Sequence, residues 1–180
     1  QAHSFAQKAQ ALDDSHPDVL MLLAGIHLYE RKYEQAIAEG QEALALGPNN
    51  AENHAIMAHI LRFSGRFEEA IAMIQRAMRL QPSYPSWYLG EVAMSYYYLG
   101  RHEEAVRQAE QFRNLADSRG EEYLLYWYHS MLAMNYIRMG RHQEAREAAA
   151  EVLRGFPEYS LEWDRQFSVY KDPAHLERQH

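Results

Sequence analysis

The sequence contains no cysteine, and this absence removes several kinds of chemistry at once. A chain without thiols has no disulfide framework, no thiol nucleophile and no thiolate ligand for a metal. The sequence also lacks a signal-peptide pattern and any apolar run long enough to cross a bilayer, which argues against membrane insertion. Because cysteine-free chains suit a reducing compartment, we expect a cytoplasmic protein.

Basic residues are too few and too scattered for nucleic-acid binding. The chain has 18 lysines and arginines against 25 acidic residues, which gives a formal net charge of −7. Binding to phosphates requires a basic stripe or patch, and none is visible in the sequence. We therefore expect no nucleic-acid partner.

Patterns that indicate catalysis or metal binding are missing as well. The sequence has no phosphate loop, no serine elbow, no Rossmann glycine pattern and no HExxH motif. Among the ten histidines, His102 and His142 follow predicted turns, where we expect them to pack against the turn. The pairs Glu68-Glu69 and Glu103-Glu104 stand at predicted helix starts, where negative charge complements the helix dipole. We therefore predict no enzymatic activity, no cofactor and no metal site in these residues.

What the sequence does contain is a repeated pair of amphipathic helices. The clearest copy spans residues 51–82, with two helices that meet at Ser64-Gly65-Arg66 and a proline, Pro82, that closes the second. Apolar residues recur at helical spacing, so each helix has one apolar side. Gly65 suits a left-handed turn after the first helix, and Pro82 cannot continue the second. A single pair cannot bury its apolar side, so it needs neighbours of the same kind.

Small residues mark four copies of this pair. The alanine at which the first helix crosses its partner recurs 34, 35 and 40 residues apart, at Ala24, Ala58, Ala93 and Ala133. Its counterparts on the second helix are Ala36, Ala70, Ala105 and Ala145. The turn between the helices recurs at Arg31, Gly65, Gly100 and Gly140. Closing prolines follow at Pro48, Pro82 and Pro157.

A period of about 34 residues with small residues and prolines at fixed places resembles the tetratricopeptide repeat. The resemblance covers residues 17–159. It implies an all-α fold, a right-handed superhelical stack of antiparallel helix pairs, with a concave groove for a ligand and no catalysis of its own.

This resemblance divides the chain as one repeat domain. Residues 1–14 are the second half of a truncated repeat, four repeats span 17–50, 51–85, 86–117 and 118–159, and 160–180 form a capping helix and tail. In detail, we expect the capping helix at 161–170 and the start of a last helix at Asp172-Pro173. Since the chain opens at Gln1 without a methionine, we expect a longer parent polypeptide.

Two helix starts carry more specific expectations. Ser15 is the expected N-cap of the first complete repeat, with Pro17 in the first turn. Ser118 and Glu121 have the spacing of a capping box. This spacing predicts a longer loop and an extended first helix in the fourth repeat, which starts near Gly120 rather than Tyr126.

The resemblance also implies that the inner faces of the first helices line the groove. Large aromatic, methionine and arginine side chains share or flank these faces at helical spacing. The predicted partner-binding residues are Tyr29, His59, Arg62, Phe63, Trp87, Met94, Tyr97, Tyr98, Trp127, Met131, Met134 and Arg138. We expect them to be exposed and to accept a peptide or an amphipathic helix. Two alternatives would make them unavailable: a tightly curved array that buries them against one another, or occupation by the chain's own C-terminal tail.

The end of the chain carries a second, shorter resemblance. Residues 156–160 and 170–178 are similar to the closing segment of large bacterial proteins that carry a class III adenylate or guanylate cyclase domain, or a winged helix, ahead of their repeats. Two functions from different classes follow. One is a scaffold that binds a protein partner; the other is a regulatory or self-association module acting on another domain of the same bacterial signalling polypeptide. The sequence upstream of Gln1 would distinguish them.

Overall fold

A computed structural model of the chain describes residues 16–160, Glu162 and residues 169–177. This part contains nine α-helices and one 3₁₀ turn, and no strand. The α-helices are α1 (Pro17–Tyr29), α2 (Tyr33–Leu46), α3 (Ala51–Phe63), α4 (Phe67–Leu80), α5 (Trp87–Tyr98), α6 (His102–Ser118), α7 (Leu125–Arg138), α8 (His142–Gly155) and α9 (Pro173–Glu177). The expected all-α fold of helix pairs is therefore confirmed. None of the described helices is both long and apolar enough to cross a membrane.

A residue in the left-handed conformation follows each first helix, at the four turns that the sequence predicts. The φ angles are 62° at Arg31, 82° at Gly65, 73° at Gly100 and 73° at Gly140. At such an angle the chain turns back sharply enough for the next amides to cap the helix. After α3, the Gly65 N–H donates to the carbonyl of Arg62 and the next N–H donates to the carbonyl of Leu61, at 3.0 and 2.9 Å. Arg31 is the one residue of the four for which this conformation has a steric cost.

The repeated alanines lie where paired helices meet. Seven of the eight are buried, and the eighth, Ala133, is half-buried. A methyl side chain lets two helices approach closely and leaves no unfilled space, so these positions have no room for a larger residue. The second helices then end two residues before Pro48, Pro82 and Pro157.

The described helices form two compact units. The first contains α1–α4 together with Val169–Asp172, and the second contains α5–α8 together with α9. In the first unit α1 packs against α2 and α3, and α3 packs against α4; in the second, α6 packs against α5 and α7, and α7 against α8. The apolar core of the first unit includes Leu28, Met57 and Ile60, and Val169 is part of it.

Several local predictions need correction, and several lie outside the described residues. The N-cap of α1 is His16, whose Nδ1 accepts a hydrogen bond from the Asp18 N–H at 3.2 Å, while Pro17 is in the first turn as predicted. Ser15, the half repeat at 1–14 and most of the expected helix at 161–170 lie outside the described residues. The predicted helix start at Pro173 is confirmed.

The predicted capping box at Ser118 and Glu121 does not form. Ser118 is the last residue of α6, and its hydroxyl donates to the carbonyl of Leu115 at 2.7 Å. The Glu121 carboxylate instead accepts a hydrogen bond from the hydroxyl of Ser86. The expected helix start near Gly120 is also wrong, because a 3₁₀ turn, Glu122–Leu124, comes first and α7 begins only at Leu125. The limits drawn between repeats stay a prediction.

Candidate partner-binding site

The first helices of the first unit present an accessible apolar face. On α1, Leu22 is 45% exposed and Tyr29 is 65% exposed. The positions on α3 that lie 34 residues later, Ile56 and Phe63, are half-buried, as is His59 between them. Because α1 and α3 contact each other in one stack, equivalent positions on the two helices lie on the same face. We call this set of five residues the α1–α3 face.

Val169–Asp172 lies against the first unit as a short non-helical segment. The Tyr33 hydroxyl donates to the carbonyl of Val169 at 3.1 Å, and the Lys171 N–H donates to the carbonyl of Phe63 at 2.9 Å. Val169 and Tyr170 are both buried. The segment is therefore held through its main chain on both sides of Tyr170.

Tyr170 packs on the end of α3. Its ring centroid lies 4.5 Å from that of Phe63, in a tilted arrangement. The Arg62 guanidinium lies 4.0 Å from the Phe63 ring centroid and 5.6 Å from that of Tyr170, and it donates a hydrogen bond to the Tyr170 hydroxyl. A guanidinium is weakly hydrated and stacks well on aromatic rings, so Arg62 tolerates an exposure of only 4%.

Lys171 adds a charged contact at the edge of the segment. Its Nζ donates to Glu34 at 2.5 Å and lies 5.9 Å from the centroid of the Tyr33 ring. The hydrogen bond from Lys171 holds the pKa of Glu34 below its ordinary value. Both side chains reach solvent, so this pair contributes little stability but favours a cation at this place.

The predicted residues of the first unit therefore fall into two groups. Tyr29 is exposed as expected, and the half-buried rings of His59 and Phe63 lie edge to face at 4.7 Å. Arg62 is buried, which corrects the expectation that it would be exposed. Arg62 is buried because Tyr170 of the C-terminal tail lies on both Arg62 and Phe63. For this residue, the alternative of occupation by the chain's own tail therefore applies.

In the second unit, four of the eight predicted residues are packed inside. Met94, Tyr97, Tyr98 and Met131 are buried, so the expectation of exposed side chains is wrong for these four. The Tyr98 ring lies 5.3 Å from that of His175 on α9, which again is a part of the C-terminal tail. Trp87 and Met134 are half-buried, and Arg138 is exposed with its Nε 3.5 Å from the Tyr97 hydroxyl.

Trp127 is half-buried because its ring fills the space beside a glycine. A Cβ placed on Gly90 would lie 2.5 Å from Cη2 of this ring and 2.7 Å from Cζ3. The ring also meets Phe112 of α6 edge to face at 5.4 Å. Trp127 therefore packs α7 against α5 and α6, and only the rest of its surface is available to a partner.

Three ion pairs beside the turns were not anticipated from the sequence. Arg66, Arg101 and Arg141 each bind the glutamate three residues later, in the first turn of the second helix. These hydrogen bonds lower the pKa of Glu69, Glu104 and Glu144. The sequence does contain a signal for these ion pairs, because the spacing Arg-x-x-Glu recurs after the left-handed residue and residues three apart are neighbours on a helix.

The two histidines that follow turns behave differently. His102 packs edge to face on Tyr97 at 5.6 Å, as predicted, and its Nδ1 lies 3.0 Å from the side-chain oxygen of the fully buried Asn135. His142 is exposed, so the same prediction is wrong for it. Each of the two turns also carries an Arg–Glu ion pair, Arg101–Glu104 and Arg141–Glu144.

Solved structures of three proteins are similar to the chain. A thermophilic TPR protein of Thermus thermophilus matches with a TM-score of 0.71 and 21% identity, over 93% of this chain and 87% of that chain. A MamA protein matches with a TM-score of 0.65 and 18% identity, over 83% and 78%. YrrB, described as a TPR protein with an unusual peptide-binding site, matches with a TM-score of 0.64 and 17% identity, over 91% and 80%. At these identities the likeness shows the fold alone.

No curated protein matches the chain. Three family models do, and each describes a tetratricopeptide repeat; they match residues 2–51, 27–94 and 84–158. Together with the helix pairs, left-handed turns and buried alanines, these matches assign the chain to the tetratricopeptide-repeat family.

Proposed function

We propose that the chain is a protein-interaction module that binds a peptide or a helix of a partner through the α1–α3 face. The observation that carries this proposal is the exposure of Leu22 and Tyr29 beside the half-buried Ile56, His59 and Phe63. The tetratricopeptide fold supports it, because this fold suggests protein–protein interaction.

The side chains of the α1–α3 face suit this role. Tyrosine supplies a large contact area at a low cost in side-chain entropy, and an aliphatic neighbour extends the apolar area. Gly25 lies between Leu22 and Tyr29 on α1, and a Cβ there would meet no atom of the described residues within 4 Å. The α1 side of the face therefore has room for a side chain of a partner.

The similar protein YrrB gives this proposal a parallel, since a peptide-binding site is part of its description. Taken by itself, the second unit has accessible surface at Trp87, Trp127, Met134 and Arg138. Its buried Met94, Tyr97, Tyr98 and Met131 would support packing and would not touch a partner.

Selection from a displayed library of random peptides tests the proposed function and needs no identified partner. Peptides enriched on the wild-type chain should bind a Leu22→Ser, Tyr29→Ala variant at least about tenfold more weakly, because central aromatic contacts dominate such interfaces. Leu46→Ala is the matched control: Leu46 is also a large exposed apolar residue of the first unit, but it lies at the end of α2. Failure to enrich any peptide, or equal binding to all three proteins, would contradict the proposal.

A second candidate function is regulation or self-association within a larger signalling polypeptide. One observation favours it, namely that the first unit already holds a segment of its own chain. Sedimentation of the chain over a wide concentration range tests the self-association part, which predicts a reversible increase in mass. A monomer at every concentration would contradict self-association.

A further inference from the structure

We propose that Val169–Asp172 is an internal ligand that occupies a peptide site on the first unit, and that this site takes partner segments with an aliphatic residue, a tyrosine and a lysine in succession. The site consists of Tyr33, Glu34, Arg62 and Phe63, and we call it the turn cleft. The proposal rests on the proposed function, because it names the peptide chemistry for a site that adjoins the α1–α3 face at Phe63.

The main-chain contacts are those of a bound peptide. The turn after α3 uses the carbonyls of Leu61 and Arg62 for its own hydrogen bonds, and the next carbonyl, that of Phe63, accepts from the Lys171 N–H. The Tyr33 hydroxyl binds the Val169 carbonyl on the other side of Tyr170. Such contacts hold a chain without regard to its side chains, and pockets for the side chains then supply selectivity.

Three side chains of the segment find three different environments. Val169 is 7% exposed and belongs to the apolar core of the first unit, so its place requires a compact aliphatic residue. Tyr170 stacks on Phe63, with its hydroxyl on Arg62. Lys171 reaches Glu34 beside the ring of Tyr33. The order of these environments along the segment fixes the order aliphatic, tyrosine, lysine.

Arg62 makes the central place selective for tyrosine over phenylalanine. A phenylalanine would keep the stacking on Phe63 but would lose the hydrogen bond from the guanidinium. Because Arg62 is only 4% exposed, water would replace that bond poorly, and the loss would carry most of its full cost. Glu34 acts at the neighbouring place by favouring a cation and disfavouring an acidic residue.

The internal ligand can be replaced because it is small. It buries two side chains, and its charged contact is at the surface. Its hold on the cleft owes much to its attachment, since a tethered ligand has an effective concentration of about a millimolar. A partner segment with the same three side chains would compete with it, and changes that weaken the internal segment would open the cleft to that partner.

The test measures binding of a fluorescein-labelled peptide with the sequence of residues 169–174, Val-Tyr-Lys-Asp-Pro-Ala, to the full chain. A Tyr170→Ala, Lys171→Ala variant should bind the peptide about tenfold or more tightly than the wild-type chain, because its own segment no longer competes. A peptide with phenylalanine for tyrosine should bind that variant about tenfold more weakly, as expected for a lost hydrogen bond to a charged group. A peptide with glutamate for lysine should bind better when Glu34→Lys is added to the variant.

Lys171→Glu is the milder second variant, since its side chain is at the surface and its fold should be intact by circular dichroism. Equal binding of the peptide to the wild-type chain and to both variants, or no binding to helical variants, would overturn the internal-ligand proposal. A different result decides the proposed function. Library peptides that depend on Leu22 and Tyr29 would sustain it even if the peptide of residues 169–174 does not bind.

Discussion

At the scale of single residues, each helix pair depends on one residue in its turn that adopts a left-handed main-chain conformation. Arg31 adopts a φ of 62° at the place where the later pairs have Gly65, Gly100 and Gly140. A side chain at such an angle costs about 1 kcal/mol, which glycine avoids. In the part of the chain that the structure describes, no atom lies within 4 Å of a Cβ built on Gly100. Any cost of a side chain there therefore comes from the backbone conformation and not from a clash.

We therefore expect opposite effects from two substitutions. Arg31→Gly should raise the free energy of unfolding by up to about 1 kcal/mol, and Gly100→Val should lower it by about 1 kcal/mol or more. Urea unfolding followed by circular dichroism measures both. A less stable Arg31→Gly variant, or an unchanged Gly100→Val variant, would contradict the steric account of these turns.

Gly90 and Trp127 give a second prediction at this scale. Trp127→Ala should lower the free energy of unfolding by about 2 kcal/mol, since a half-buried ring loses its contacts with Gly90 and Phe112. Gly90→Ala should also destabilise the wild-type chain, because the methyl would overlap the ring. In the Trp127→Ala background the overlap is gone, and Gly90→Ala should stabilise by up to about 1 kcal/mol through helix propensity.

This reversal of sign distinguishes packing from partner binding at Trp127. A ring that served only a partner would leave the effect of Gly90→Ala the same in both backgrounds, within the usual error of additivity. The sequence could not predict the contact. Gly90 and Trp127 lie on different helices. Helical spacing shows which residues share a face of one helix, but it does not show which residue of another helix they contact. On spacing alone, Trp127 was therefore assigned to the groove.

At the scale of the elements, each second helix begins with a charge contact beside the turn. In the later pairs this is an Arg–Glu ion pair three residues apart. In the first pair, Lys32 occupies the place of this arginine. The charge contact beside the turn is here a hydrogen bond from Lys171 of the C-terminal segment to Glu34. In the first pair, the cation beside the turn therefore comes from a distant part of the chain.

The pKa of Glu34 tests this contact. Its folded value lies below the ordinary 4.5, so the contact is fully present above that pH and is lost as the pH falls through the lowered pKa. An NMR titration of the Glu34 carboxyl should give a midpoint below 4.5 in the wild-type chain and a higher one in Lys171→Ala. Glu69 is the control: its pKa is lowered by Arg66 and should be the same in both proteins. An unchanged Glu34 midpoint would contradict the contact.

At the scale of the whole chain, the repeats were predictable and the tail was not. Alanines, turn glycines and prolines recur along the sequence, and each acts through local geometry, so four copies reinforce one interpretation. The contact between Tyr33 and Val169 joins residues 136 apart and follows no period. The sequence offered the tail only as one of two reasons for buried groove residues, and it did not indicate Val169–Asp172 as the segment or the end of α3 as its place.

Hydrogen exchange at one amide tests the central claim, that the first unit holds its own C-terminal segment as a peptide. The Lys171 N–H donates to the carbonyl of Phe63, so its exchange in the wild-type chain should be slower than in an unstructured peptide. In a Tyr170→Ala variant, which removes the stacked ring and the hydrogen bond from Arg62, the same amide should exchange faster while the amides within α3 keep their protection. If the Lys171 amide of the wild-type chain exchanges at the rate of an unstructured peptide, the segment is not bound and the claim is wrong.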